Sequence, residues 1–172
     1  LLGGGGAATA ICVQAALDGL KEIRVFNIKD QFYGRLEKLT ANITARTSCK
    51  VTLHDLSDES ALYDRIETSD ILTHGTSVGM APNTDACLIK NTDVFRKELI
   101  VSDVIYNPEQ TKLLKLASEK GCPTFNGLYM LLYQGAAAFK IWTGQDMPVD
   151  IIKEKYFTRW GGEVNRKKML YL

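Results

Sequence analysis

The sequence predicts an α/β fold: a doubly wound parallel sheet with helices on both faces, followed by C-terminal helices. Three observations carry this. Short apolar runs rich in Val, Ile and Phe alternate with stretches of helical periodicity along the chain. A run of four glycines, Gly3 to Gly6, leads directly into small apolar residues at spacings suited to a buried helix. The segments that close the predicted strands would meet at one edge of such a sheet. Alternating strands and helices imply right-handed crossovers and parallel neighbours.

The elements follow in order. Leu1 and Leu2 read as the tail of a first strand, and Ala7 to Leu17 as the helix after it. "EIRVFNIKD" places Ile23, Val25 and Phe26 on a short buried strand ending at Asn27. "QFYGRLEKLTANITART" carries Phe32, Leu36, Leu39 and Ile43 at helical spacing. "CKVTLHDL" (Cys49 to Leu56) is the next strand, and Ser57 is a plausible N-cap for the helix in "SDESALYDRIETS". "DILTHGTSVGM" (Asp70 to Met80) is a strand opening into a glycine-bearing loop, and "ELIVSDVIYN" (Glu98 to Asn107) is another strand. Pro108 is expected to start the helix "PEQTKLLKLASEKG", a position proline favours. "PTFNG" is a short last strand, "LYMLLYQGAAAFKIWTG" a long apolar helix, and "PVDIIKEKYFTRW" a terminal helix opened by proline. One domain over residues 1–157 with a tail over 158–172 is the expected organisation.

The glycine run has two readings. Glycine runs can be flexible tethers. The spacing Gly3-x-Gly5-x-x-Ala8 also fits the dinucleotide-binding turn of Rossmann-like folds. There the first glycine makes the turn, the second lets backbone approach a pyrophosphate, and the small third residue lets helix and strand pack closely. The helix N-terminus then faces the phosphates. The turn leaves a strand and opens a helix, the context that motif requires. Ligands of such sheets lie at the carboxyl ends of the strands: here Gly3 to Ala7, Asn27 to Asp30, Gly75 to Met80, Val104 to Asn107 and Asn126 to Gly127.

Composition narrows the classes. The 172 residues are 45% hydrophobic and 24% charged with a net charge of +1, which argues against a nucleic-acid or membrane-surface partner. Four scattered cysteines without C-x-x-C favour reduced thiols and a cytoplasmic location. Two isolated histidines give no metal centre, and no signal peptide or membrane-spanning stretch is visible. The missing initiator methionine and the abbreviated first strand indicate a piece of something longer. A truncated first strand would leave its neighbours short of pairing, so low stability or self-association into a homo-oligomer is expected.

Four stretches together go further: "GGGGAAT", "GTSVGM" (Gly75 to Met80), "DVIYNPEQTKLL" (Asp103 to Leu114) and "NGLYMLLYQGAAAFKIWTG" (Asn126 to Gly144). In order and spacing, over residues 1 to about 157, they resemble the shikimate dehydrogenase family, specifically its quinate/shikimate branch. The resemblance implies reversible oxidation of a ring hydroxyl of shikimate or quinate, with hydride passing to a nicotinamide, in aromatic amino-acid biosynthesis. It implies a pyrophosphate turn at Gly4, Gly5, Gly6 and Ala7, and an adenosine ribose near Asn27 to Asp30, with Lys29 and Asp30 in reach. Ser77 would lie near the cofactor. Val104, Ile105, Tyr106, Asn107 and Gly127 would line the nicotinamide pocket, and Tyr106 and Gln134 would touch the substrate. The family's proton-transferring lysine and aspartate sit on an N-terminal domain, and their motifs do not precede the glycine turn here. No catalytic residue is therefore expected in this chain, and the fragment is expected to be inactive alone. A non-catalytic nucleotide-binding or regulatory module is the alternative.

Several positions keep two readings. Asn83-Thr84-Asp85 and Asn91-Thr92-Asp93 read first as turn and N-cap residues. His74 stands where the family often has asparagine and is either a satisfied structural residue or an acid/base group. Tyr129 replaces a usual glycine and either narrows the pocket or packs in the core. Arginine often follows the strand-end asparagine in NADP-specific relatives; Ile28 stands there instead. Asp30 either accepts from a free 2′-hydroxyl or caps the next helix, and Lys29 pulls toward a phosphate. The balance favours NAD, with NADP as the fallback.

Overall fold

The computed structural model describes residues 1–157, in two compact units, 1–127 and 128–157. The predicted 158–172 tail lies outside the described residues. In the first unit the elements run α1 (Gly6–Leu17), β1 (Glu22–Asn27), α2 (Tyr33–Arg46), β2 (Lys50–Asp55), α3 (Glu59–Glu67), β3 (Ile71–His74), β4 (Ile100–Asp103), α4 (Lys112–Glu119) and β5 (Thr124–Phe125).

Every pairing is parallel: β1 with β2, β3 with β4, and β4 with β5. Leu2 joins the two groups, bridging Phe26 on β1 and His74 on β3. Its amide donates to Thr73 O at 2.8 Å and its carbonyl accepts from Gly75 N at 2.7 Å. On the other side Gly3 N donates to Phe26 O at 2.7 Å, and Phe26 N to Leu1 O at 2.8 Å. The strand order is therefore β2-β1-Leu2-β3-β4-β5, and the two expected strand-end leucines do pair on both sides.

Two apolar clusters cover opposite faces. Cys12 and Ala16 of α1 and Leu36 and Ile43 of α2 pack with Ile23, Val25 and Val51. Leu62 and Ile66 of α3 and Leu113, Leu114 and Ala117 of α4 pack with Leu2, Phe26, Leu72 and Val101. Adjacent Val25 and Phe26 fall in different clusters because successive strand side chains point to opposite faces. The predicted doubly wound α/β fold is the observed one.

The boundaries differ in instructive ways. Ser57 does not cap α3; Asp58 does, its Oδ1 accepting from Ala61 N at 3.0 Å, while the Ser57 amide is taken by Asp55 Oδ1 at 2.9 Å. Pro108 does not open α4. Thr111 caps it, with Oγ1 accepting from Leu114 N at 3.4 Å. The strand expected to Asn107 ends at Asp103, whose own carboxylate takes the Ile105 amide and turns the chain out of the sheet. Phe32, expected on the apolar stripe of α2, precedes the helix and is exposed, whereas Leu36 and Ile43 are buried. Asn91 caps a 3₁₀ turn over Thr92–Val94 by accepting from Asp93 N at 2.9 Å, as its motif reads.

In the second unit α5 spans Leu128–Thr143. Val149–Ile152 form a short helix with Pro148 as N-cap, continuing as π-helix over Lys153–Phe157. Tyr129 packs within this unit, stacked on Tyr133 (centroids 6.4 Å apart) and tilted against Phe157 at 5.5 Å. Among the described residues no helix is long and apolar enough to cross a membrane.

Candidate functional site

The carboxyl ends of the strands open on one cleft of about 770 Å³, lined wholly by the first unit. That volume lies within the usual range for small-molecule sites, roughly 300–1,000 Å³. Four segments build its wall, joined by Leu56 and Leu88: Gly3 to Ala7, Asn27 with Ile28 and Asp30, Gly75 to Val78 with Met80 and Ala81, and Val104 to Asn107.

The glycine turn divides its labour among three positions. Gly3 has φ +104°, a left-handed conformation that suits glycine, and a Cβ there would meet Thr76 Cγ2 at 2.8 Å and Gly75 O at 2.9 Å. Gly5 and Gly6 have nothing within 4 Å of where a Cβ would stand, so their backbone faces open cleft. Ala8 is buried against β3: a Cβ on Gly75 would lie 2.8 Å from the Ala8 Cβ, so only two small residues allow this approach. Gly5 is the N-cap of α1 and offers no side-chain bond, and the first turn has no acidic residue. The amides at this helix start therefore remain free to bind an anion, reinforced by the helix dipole.

On one side of the turn, Asn27, Ile28 and Asp30 close the wall. Asp30 Oδ1 accepts from Phe32 N at 2.9 Å, so its carboxylate braces the entry to α2, and Asp30 also lines the cleft. Lys29 is not on the wall. Its ammonium pairs with Asp55 Oδ2 at 3.5 Å. The Ser57 amide and hydroxyl, and then Lys29, hold the Asp55 carboxyl below its ordinary range.

Beneath the other side runs a buried polar chain. Asp103 Oδ1 accepts from His74 Nδ1 at 3.0 Å and from Ile105 N at 3.0 Å, and Oδ2 accepts from Thr111 Oγ1 at 2.7 Å. His74 Nε2 lies 2.5 Å from Thr76 Oγ1, which also accepts from Val78 N at 3.1 Å. Every donor has an acceptor if His74 is neutral with its proton on Nδ1, Thr76 donating to Nε2. His74 is thus the satisfied structural residue of its two readings, and it ties the Gly75–Met80 loop to the Val104–Asn107 loop. Sequence reasoning singled out Ser77 in the first loop and missed Thr76. Thr76 touches Gly3, His74 and the cleft at once, and the spacing Asp103 to Thr111 was the available signal for the rest.

Of the remaining expected positions, Gly4, Gly5, Gly6, Ala7, Asn27, Asp30, Ser77, Val104, Ile105, Tyr106 and Asn107 all line the cleft. Gly127 does not line it. Its amide donates to Ile105 O at 3.0 Å, and its Cα sits so close to the Val104 carbonyl that no Cβ fits. Gln134 is exposed on α5 in the second unit.

Comparison with known proteins bears on this site. A model of the shikimate 5'-dehydrogenase C-terminal domain matches residues 127–155. A shikimate dehydrogenase (NADP(+)) of Listeria monocytogenes is 54% identical over 157 residues, covering 91% of this chain. The chain belongs to the shikimate dehydrogenase family. It spans about half the length of the curated relatives it matches, 54% for that Listeria protein. Among solved structures, a shikimate 5-dehydrogenase of L. monocytogenes in complex with shikimate and NAD superposes with a TM-score of 0.84 at 54% identity, covering 89% of this chain and 53% of that one. A quinate dehydrogenase of Corynebacterium glutamicum in complex with NAD superposes with a TM-score of 0.77 at 25% identity, covering 91% and 53%. These relatives share the doubly wound fold, and residues 127–155 of this chain match the family's C-terminal domain.

Proposed function

We propose that this chain is the nucleotide-binding portion of a dehydrogenase that moves a hydride between a nicotinamide dinucleotide and a ring hydroxyl of shikimate or quinate. The observation that carries the reading is the glycine turn: a left-handed Gly3, an open Gly5 and a tightly packed Ala8, at the point where strand order reverses. That is the division of roles a pyrophosphate turn requires. The relatives' own ligands, shikimate with NAD and quinate dehydrogenase with NAD, support the substrate class.

In this reading the backbone of Gly4, Gly5, Gly6 and Ala7 binds the pyrophosphate, and Asn27 and Asp30 take the adenosine ribose. Ser77 lies along the cofactor, and Val104, Ile105, Tyr106 and Asn107 wall the nicotinamide with Gly127 packed behind them. Tyr106 meets the substrate from this wall, and Gln134, on the second unit, is a substrate contact that the family resemblance implies. The nicotinamide, when bound, supplies the hydride acceptor; these residues bind, orient and exclude water. NAD is the preferred cofactor, although the Listeria relative is named for NADP(+). Ile28 donates no hydrogen bond, and the Asp30 carboxylate accepts from a 2′-hydroxyl and repels a 2′-phosphate.

The test is Gly5→Ala. The added methyl meets nothing in the fold, so thermal stability should stay within about 1 kcal/mol, while NAD affinity measured by calorimetric titration should fall at least ~10-fold, a cost of ~1.4 kcal/mol. Unchanged affinity in a folded Gly5→Ala protein would remove the pyrophosphate from this turn.

A further inference from the structure

We infer that Asp55 is a specificity-determining residue that sets the preference between NAD and NADP by holding Lys29 away from the cleft. The inference rests on the nucleotide reading above and adds a residue that is not itself on the cleft wall.

The sheet register explains the contact. Asn27 and Asp55 are register partners, so β1 and β2 end side by side and Asp55 stands next to the loop that follows Asn27. In that loop Ile28 and Asp30 face the cleft while Lys29 does not. The Asp55 carboxylate is committed at both oxygens: Oδ1 to the Ser57 amide, Oδ2 to the Lys29 ammonium at 3.5 Å. The lysine side chain is mostly exposed, so its stem is free to swing once released. With the ammonium on Asp55, the wall beside the ribose carries the Asp30 carboxylate as its formal charge. A 2′-phosphate there meets like charge, and the nearby cation is occupied elsewhere.

NAD and NADP differ by that one phosphate, which makes the ratio of their dissociation constants a readout that general loss of structure does not imitate. Asp55→Asn keeps an oxygen for the Ser57 amide and hydroxyl and removes the charge that binds Lys29. The 172-residue chain and its Asp55→Asn, Lys29→Ala and double variants would be titrated with NAD and with NADP at low ionic strength. Asp55→Asn should tighten NADP about three- to fivefold, the scale of one exposed ion pair, and leave NAD within about twofold. In the Lys29→Ala background the same substitution should move the ratio less than about twofold, because the lysine is the intermediary. Raising the salt should shrink the single-variant shift, since exposed charges are screened. Binding of both nucleotides with a ratio that Asp55→Asn does not move would overturn the inference and leave the nucleotide reading standing. So would a shift that persists in full without Lys29. Failure of both nucleotides to bind the wild type would overturn the nucleotide reading, and this inference with it.

Discussion

Replacing Asp103 by alanine should be among the most damaging single changes in this protein. The carboxylate is fully buried and accepts from three groups: His74 Nδ1 at 3.0 Å, Ile105 N at 3.0 Å and Thr111 Oγ1 at 2.7 Å. His74 and Thr111 are buried with it. Alanine leaves all three donors without an acceptor. Each unsatisfied buried donor costs roughly 1–3 kcal/mol. Water entering the vacated space returns part of that, so a net loss of about 4 kcal/mol is expected. With a urea slope of ~2 kcal/mol per molar, the unfolding midpoint should fall by about 2 M. Asp103→Asn is the informative partner. Its oxygen still accepts from His74 and Ile105, and its amide can donate to the Thr111 oxygen, so about 1–2 kcal/mol should be lost and the midpoint should fall by less than ~1 M. Urea unfolding followed by circular dichroism measures both. An alanine variant within about 0.3 M of wild type, or an asparagine variant as damaged as the alanine one, would refute the reasoning.

Three further outcomes are expected. Gly127→Ala drives a methyl into the Val104 carbonyl, so it should cost about 1–3 kcal/mol, seen as a lower melting temperature, and weaken NAD binding by displacing the Val104–Asn107 wall. His54 should titrate below its ordinary 6.5 in NMR, because burial and then Arg65 and Arg24 disfavour its charged form. The unfolded chain then binds more protons below that pH, so His54's contribution to stability is intact above 6.5 and lost as pH falls through the folded midpoint; Arg65→Gln should raise that midpoint. The titratable side chains on the cleft wall are Asp30 and Tyr106; the 172-residue chain should therefore bind NAD yet show no steady reduction of it with shikimate or quinate, and turnover in a spectrophotometric assay at 340 nm would contradict this.

What could be read in advance was what local pattern encodes. Alternating apolar runs and helical periodicities gave the order of strands and helices, since each reflects one buried face. The turn at Gly3, the open space at Gly5 and the close packing at Ala8 were legible because they occupy one turn. The helix starts were misplaced because competing caps stand one or three residues away: Asp58 outbids Ser57, whose amide Asp55 has already taken, and Thr111 displaces Pro108 because Asp103 orients its hydroxyl. The chain from Thr76 through His74 to Asp103 and the Lys29–Asp55 pair were beyond reach. Their partners lie 29 and 26 residues apart, and only the strand register brings them together.

Leu2 has a consequence for how the sheet opens. Leu2 sits between two half-sheets, in a seam held by four backbone amide hydrogen bonds, those of Gly3 and Phe26 on the β1 side and of Leu2 and Gly75 on the β3 side. The Gly3 and Phe26 amides can exchange with deuterium only when Leu2 parts from β1, and the Leu2 and Gly75 amides only when it parts from β3, so they should exchange as two pairs. Amides inside the β1–β2 ladder and those inside the β3–β4 ladder need not follow. The glycine turn hangs from that same seam, so a ligand gripping Gly4 to Ala7 would slow exchange in residues it never touches, on both sides at once.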